Sequence, residues 1–459
     1  MGILASYVLP HCPVAVKEIA RGQERYVNKT VQAFEEVGKQ IASLEPDTIV
    51  IASPHAESYS DYFQIADGET VTGSFAGYGA PQVRFRFHYD DLLRKEITRI
   101  AASRKFPAGY EGAEDSSLDH GTMVPLYFVN RFYSNYKIVR LGLSGLSYLD
   151  HYLMGEIIQD AAKSANERVV FIASGDMSHC LAKDGPYGYR EEGERYETLL
   201  NKNLKSANFG DLLRMDKALI TRAKECGHRV FALLAGTLDR KSITTTFYSH
   251  EAPFGIGYGV YGYLVNGDDG SRAIGDLYVS KTKLDVEKKK ASADGYAKLA
   301  YFTLEQYLKH EKDKRVQVPL NLTSDKAAVV VSIFKFGTLR ARFGNQVPLE
   351  HNLASEIIQA TIKAARSDTF FDPIEASELP FLSISVDVLS PLEPIASEKQ
   401  LDVNKYGVVV KGKEKTGFAL PSLPAVDSVE KQIRIAKRDA GISKTERVSL
   451  LRFTVSHHE

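Results

Sequence analysis

The chain of 459 residues has no excess of either charge: 58 Lys and Arg stand against 58 Asp and Glu. It therefore lacks the basic footprint that binding to DNA, RNA or an anionic membrane surface requires. No run of about 18 apolar residues occurs, so a membrane-spanning helix is not expected. The start of the chain has neither the charged opening nor the small-residue cleavage site of a secretory signal. MGILAS does match a myristoylation pattern, but the ILASYVLPH within and beyond it reads as a first strand, which argues against acylation. Three cysteines cannot build a disulfide framework. No internal repeat or long low-complexity tract is present. What remains is a cytoplasmic globular protein, 44% apolar by residue. Single cores stop growing near ~250–300 residues, so two domains are expected.

The first 265 residues alternate β-branched runs with helical patterns, as a largely parallel α/β sheet does. TIVIAS (48 to 53), YKIVRLGL (136 to 143) and RVVFIAS (168 to 174) are apolar on both faces, as buried parallel strands must be. NKTVQAFEEVGKQIASL (28 to 44) and DHYLMGEIIQDAAKSA (150 to 165) carry apolar residues at helical spacing. GIGYGVYGYLV (255 to 265) contains a GxGxG, but no helix follows it, so close strand packing explains it better than a dinucleotide loop. Composition then shifts to Gly, Asp, Lys and Ser, which places a domain at 1–266, a linker at 267–290 and a second, α+β domain at 291–459. The second domain opens on the helical pattern YAKLAYFTLEQYLKHE (296 to 311). KAAVVVSIFKFGTLRARFG (326 to 344) reads as a hairpin, and LPFLSISVDVLSPLEPI (379 to 395) as a strand followed by proline turns.

Three stretches run apolar and then present a histidine: ASYVLPH ends at His11, IASPH at His55 and IASGDMSH at His179. In open α/β sheets, ligands bind beyond the carboxyl ends of parallel strands, where the loops converge. Each histidine follows a predicted strand closely, so all three are expected at one edge. Two imidazoles and a carboxylate on one face of an ion leave positions open, the arrangement of non-haem Fe(II) oxygenases. His120 lies where Asp119 or Ser117 caps a helix starting near Thr122. Helix-start N–H groups disfavour an imidazolium, so His120 suits a general base; otherwise it is a loop histidine bound to its own turn. Asp176 precedes His179 by three residues. Glu225 and Cys226, in AKECGHRVFALLAG (223 to 236), open an amphipathic helical pattern. Glu225 is either a carboxylate facing the crevice or a favourable helix-start acid. Cys12 and Cys180 read as small buried hydrophobes.

LPHCP, IASPHAE, SLDHGTMVPL and IASGDMSHCL, in this order, resemble the LigB-type class III extradiol dioxygenases and the related Memo proteins. The resemblance implies Fe(II) held by His11, His55 and Glu225, with zinc or copper as alternative ions. It implies His120 and His179 as acid/base residues beside a small aromatic substrate, a vicinal diol or aminophenol, and O2. Memo-like members place a histidine, matched by His179, and a cysteine, matched by Cys226, around the same pocket; this chain has both Glu225 and Cys226. If neither is the third ligand, Asp176 and Glu251 come next. YAKLAYFTLEQYL, SDTFFDP, SISVDVLSPLEPI, GVVVKGKEKTGFALP and KQIRIAKRDAGI are similar to the AMMECR family. The pairing of the two implies a component of an AmmeMemoRadiSam system, with a radical SAM protein as partner or, in place of catalysis, a metal-binding scaffold serving that partner. An assembly of like chains stays open. The family hexapeptide Leu-Arg-Gly-Cys-Ile-Gly stands here as LRARFG (339 to 344), with Ala341 and Arg342 replacing Gly and Cys. Thiol chemistry is therefore absent there. Arg340 and Arg342 either bind an anion or are solvated strand-end side chains.

Overall fold

The computed structural model describes residues 1–112, 117–310, 320–366, 372–423 and 426–459. It divides into two compact units, Met1–Tyr278 and Val279–Glu459. Among the described residues no helix is long and apolar enough to cross a membrane.

The largest sheet of the first unit has six strands: β1 (Gly2–Leu9), β2 (Thr48–Ala52), β3 (Lys137–Leu141), β4 (Arg168–Ser174), β5 (Lys241–Glu251) and β6 (Tyr258–Asp268). Their order across the sheet is β3-β2-β4-β1-β6-β5. The first four run parallel, with Val50 opposite both Val139 and Phe171 and Tyr7 opposite Ile172. β6 and β5 return antiparallel. Every residue of β2 is buried, as its apolar run on both faces dictates. On one face lie α1 (Asn28–Leu44) and α3 (His120–Asn130), whose buried side chains join Tyr7, Leu9, Ile49, Ile51, Val170 and Ile172 in one core. On the other, α4 (Tyr148–Ser164) packs against α6 (His228–Thr237), with α2 (Asp91–Ser103) beside α4; α5 (Glu191–Lys205) accompanies β5 and β6. The glycine-aromatic strand is a close-packing device: a Cβ on Gly259 would fall 2.1 Å from Met177 Cε.

The stretch expected as a linker is largely helical, forming α7 (Ile274–Ser292). Its Lys, Glu and Ala are good helix formers, which a composition shift toward charge does not reveal. The second unit is α+β. One sheet has the order β8-β7-β9-β14, from β7 (Val329–Lys335), β8 (Thr338–Gly344), β9 (Leu382–Leu389) and β14 (Val455–His458). A second has the order β10-β13-β11-β12, from β10 (Glu393–Ile395), β11 (Gly407–Lys411), β12 (Thr416–Ala419) and β13 (Ser449–Phe453). All pairings in both are antiparallel. Helices α8 (Gly295–Lys309) and α9 (Leu353–Arg366) fill a core with β7 and β9, while α10 (Val429–Asp439) covers β11 and β12. β7 and β8 form the expected hairpin. Neither hexapeptide arginine stands as a bare solvated strand end: Arg340 binds Glu378 at 2.9 and 3.0 Å, and Arg342 Nε donates to Ser332 Oγ at 3.1 Å. Of the family-like stretch 367 to 373, residues 367–371 lie outside the described residues.

Candidate metal centre

Because β1, β2 and β4 run parallel, their carboxyl ends share one edge, and the loops leaving them carry His11, His55 and His179 there. His11 Nε2 and His55 Nε2 stand 3.1 Å apart. Cys226 Sγ lies 3.5 Å from His11 Nε2 and 3.8 Å from His179 Nε2. Asp176 Oδ1 accepts the His11 backbone N–H at 2.9 Å, and its Oδ2 is 3.6 Å from His11 Nε2. The His120 ring centroid is 4.1 Å from that of His55 and 5.4 Å from that of His11. Among the described residues two sets of three donors result, His11–His55–Cys226 and Asp176–His179–Cys226, with the ligand atoms of each set within 4.8 Å of one another.

Local hydrogen bonds fix the His11 tautomer. Ser174 Oγ donates to the Gly121 carbonyl at 2.6 Å, so toward His11 Nδ1, 3.1 Å away, it can only accept. The ring proton therefore sits on Nδ1, and the Nε2 lone pair faces the cluster. Burial, then the neighbouring His55 and His120, holds His11 well below the usual histidine range. Burial also lowers His120 and His179. Neutral imidazoles serve as ligands or proton acceptors. Burial, then Asp176 and Glu225, pushes the Cys226 thiol up, so a bound cation is what would draw off its proton. Nitrogen donors held ~2.0–2.1 Å and sulfur ~2.3 Å from one ion stand roughly 3–3.8 Å apart. The distances from His11 Nε2 to His55 Nε2, 3.1 Å, and to Cys226 Sγ, 3.5 Å, fit an ion of that kind.

Glu225, the carboxylate expected as third ligand, is not brought into either donor set. Its Oε2 accepts the His228 backbone N–H at 2.5 Å, at the start of α6. Burial raises its pKa to about 7. Cys226 comes to the cluster instead. Glu251 is engaged elsewhere, accepting from Thr30 N and Thr30 Oγ1, both at 2.7 Å, near the start of α1. The α6 pattern also differs from expectation. Val230 to Thr237 are all buried, so the helix is enclosed rather than amphipathic.

A second layer orients the histidines. Asp119, not Ser117, caps α3, which starts at His120: its Oδ1 accepts from Thr122 N at 3.0 Å and its Oδ2 from Thr122 Oγ1 at 2.7 Å. Ser53 Oγ donates to the same carboxylate at 2.6 Å and accepts the His55 backbone N–H at 3.1 Å. Fully buried Arg140 approaches Asp119 at 3.6 Å. Only glycine fits at 121, since a Cβ there would lie 2.3 Å from Ser53 Oγ. Two tyrosines flank the outer rings: Tyr187 stacks on His179 at 5.7 Å, and Tyr78 lies 5.8 Å from His120. Both are exposed. Tyr78 belongs to the stretch GSFAGYGAP, and Phe63, from SYSDYF, packs against Phe106 and His151. Nothing in the sequence flagged Tyr187, which lies in a Gly-Pro turn segment.

The sequence profile of the catalytic LigB subunit of aromatic ring-opening dioxygenase matches residues 5–261, and that of AMMECR1 matches residues 297–458. The chain belongs to the LigB family, a family of metal-dependent dioxygenases, and carries an AMMECR1 domain after it. A protein of Clostridium acetobutylicum is 37% identical over 470 residues, covering 100% of both chains. One from Thermotoga maritima is 38% identical over 168 residues, covering 36% of this chain and 97% of its own. Among solved structures, an uncharacterized protein of Escherichia coli K12 aligns with a TM-score of 0.39 at 14% identity, over 56% of this chain and 99% of that one. An uncharacterized protein of Pyrococcus horikoshii aligns with a TM-score of 0.32 at 24% identity, over 35% and 88%.

Proposed function

We propose that the first unit is a cytoplasmic transition-metal module of LigB descent, its ion held by His11, His55 and the Cys226 thiolate. The single observation that carries this reading is the pairing of Cys226 Sγ with His11 Nε2 at 3.5 Å while Glu225 is spent on the His228 backbone. Two imidazoles and a thiolate suit copper(I) or zinc, whereas two imidazoles and a carboxylate suit Fe(II). When bound, such an ion supplies Lewis acidity and, if copper, one-electron exchange. The protein's own groups then divide the remaining work. Neutral His179 accepts or returns a proton at Nε2, and Asp176 steadies the His11 backbone. His120, kept neutral by burial and next to His55, is the second proton acceptor.

A second reading is extradiol opening of an aromatic diol or aminophenol on Fe(II). It is favoured by the Asp176 carboxylate 3.6 Å from His11 Nε2 and by the exposed rings of Tyr78 and Tyr187 beside the outer histidines. Acid/base assistance from the two histidines would contribute ~10²–10⁴ in rate to either chemistry. Elemental analysis of anaerobically purified protein, followed by an absorbance screen for ring opening against catechols and aminophenols, tests both. Copper or zinc with no ring opening is the result the first reading expects. Iron with turnover would replace it by the second.

A further inference from the structure

The second unit carries a linked Ser, His and Asp at its edge strand. Asp294 precedes α8, and its Oδ1 accepts from Tyr296 N at 3.0 Å and Ala297 N at 3.1 Å. Its other oxygen, Oδ2, meets His458 Nδ1 at 2.7 Å. An ionised carboxylate only accepts, so the imidazole proton is on Nδ1 and Nε2 keeps its lone pair. Ser456 Oγ lies 3.1 Å from that Nε2, and the hydroxyl must therefore be the donor. Ser456 and His458 are two apart on β14 and share a face, opposite Val388 and Val386. The His458 ring is pinned by stacking on Tyr296, centroids 3.7 Å apart and planes 15° apart. His458 is 16% exposed, whereas Ser456 is open to solvent. A nucleophile, a base and a group that orients the base are thus in hydrogen-bond reach in the order acyl transfer needs. The adjacent His457 is held by Asp387 in the same way, at 2.7 Å, which makes it an internal control.

We propose that Ser456 is an activated nucleophile for small, unhindered carboxylic esters. Ser456 Oγ bonds to the carbonyl carbon while its proton passes to His458 Nε2, and the carbon–oxygen bond to the alcohol breaks as the alcohol takes that proton. Water then attacks the acyl-serine, gives its proton to His458, and releases the acid as Ser456 Oγ is reprotonated. One ester and one water become one acid and one alcohol, with no redox partner. The test is to treat the full chain with a tagged fluorophosphonate, which forms a serine–phosphorus bond with loss of fluoride and a proton, and to map the label by peptide mass spectrometry. Label on Ser456 is expected. Ser456→Ala should abolish it, and His458→Ala should slow it by ~10²-fold, the share a positioned base contributes. Asp294→Asn keeps the helix cap but forces the other imidazole tautomer, and should slow it at least as much. His457→Ala should leave the rate unchanged. Absence of label on Ser456, or a labelling rate indifferent to His458→Ala in a chain with an unaltered melting curve, would overturn the proposal.

Discussion

At the carboxyl edge of β1, β2 and β4, two imidazole nitrogens face each other at 3.1 Å, an arrangement neutral rings hold only by sharing one proton or one cation. On β8 in the second unit, by contrast, Arg340 is closed on Glu378 through two nitrogens and Arg342 is tied to Ser332. The contrast follows from topology. Parallel strands all end at one edge, so their loops deliver side chains to a common point. A hairpin such as β7–β8 returns the chain within two residues, Phe336 and Gly337, so Arg342 meets its cross-strand neighbour Ser332, while Arg340 reaches Glu378 in the segment Ala376–Phe381. Where donors converge without a built-in counter-charge, a ligand is called for. Where they are paired, the pairs hold the fold.

The largest effect should come from the donors themselves. His11→Ala or His55→Ala should remove nearly all bound metal, read by elemental analysis, while thermal unfolding stays cooperative. Retention of full occupancy would take that residue out of the ligand set. Next comes the pair at the start of α6. Cys226→Ser should weaken metal binding severalfold or more, and Glu225→Gln should leave it close to wild type, both read by anaerobic titration against a competing chelator. The reverse order would restore the carboxylate triad.

The histidines were legible because each follows an apolar run at a strand end, a pattern that survives any small error in strand bounds. Glu225 and Cys226 were not separable in the same way. They are adjacent residues just before a helix, and one position decides which side chain enters the crevice and which turns back to the backbone amides. Glu225 Oε2 accepts the His228 N–H, whereas Cys226 Sγ lies against His11. The enclosure of α6 was hidden for a similar reason: its neighbours α4, β1 and β4 lie far away in sequence. The cap on α3 was legible only in part: Asp119 and Ser117 both stood before a helix expected near Thr122, and the start at His120 leaves the role to Asp119.

A smaller effect is expected from the supporting layer. Asp119→Asn and Arg140→Met should weaken metal binding by about 10–100-fold without removing a ligand, because such partners orient the rings rather than bind the ion. A loss no greater than that of an exposed control would show that Ser53 and Thr122 hold His55 and His120 unaided.

Stability should depend on acid in a defined direction. Burial lowers both His151 and His228 to about 3, and neither belongs to a donor set. The unfolded chain takes up protons on these rings below about 6.5 that the folded chain refuses until about 3, so stability is full above that window and falls as pH drops through it. Each ring contributes up to ~1.4 kcal/mol per pH unit. His151→Gln should make urea midpoints at pH 5 and pH 7 more alike; an unchanged difference would exclude that ring. The smallest effect on the metal is expected in the second unit. Arg340→Ala breaks a partly buried pair and should cost about 1–3 kcal/mol of that unit's stability, with no change in metal content.

X-ray absorption at the edge of the bound metal reads the ligand set directly. The wild-type protein should show one sulfur neighbour and two imidazoles, with the sulfur signal gone in Cys226→Ser and intact in Glu225→Gln. A wild-type spectrum with only nitrogen and oxygen neighbours would contradict that ligand set.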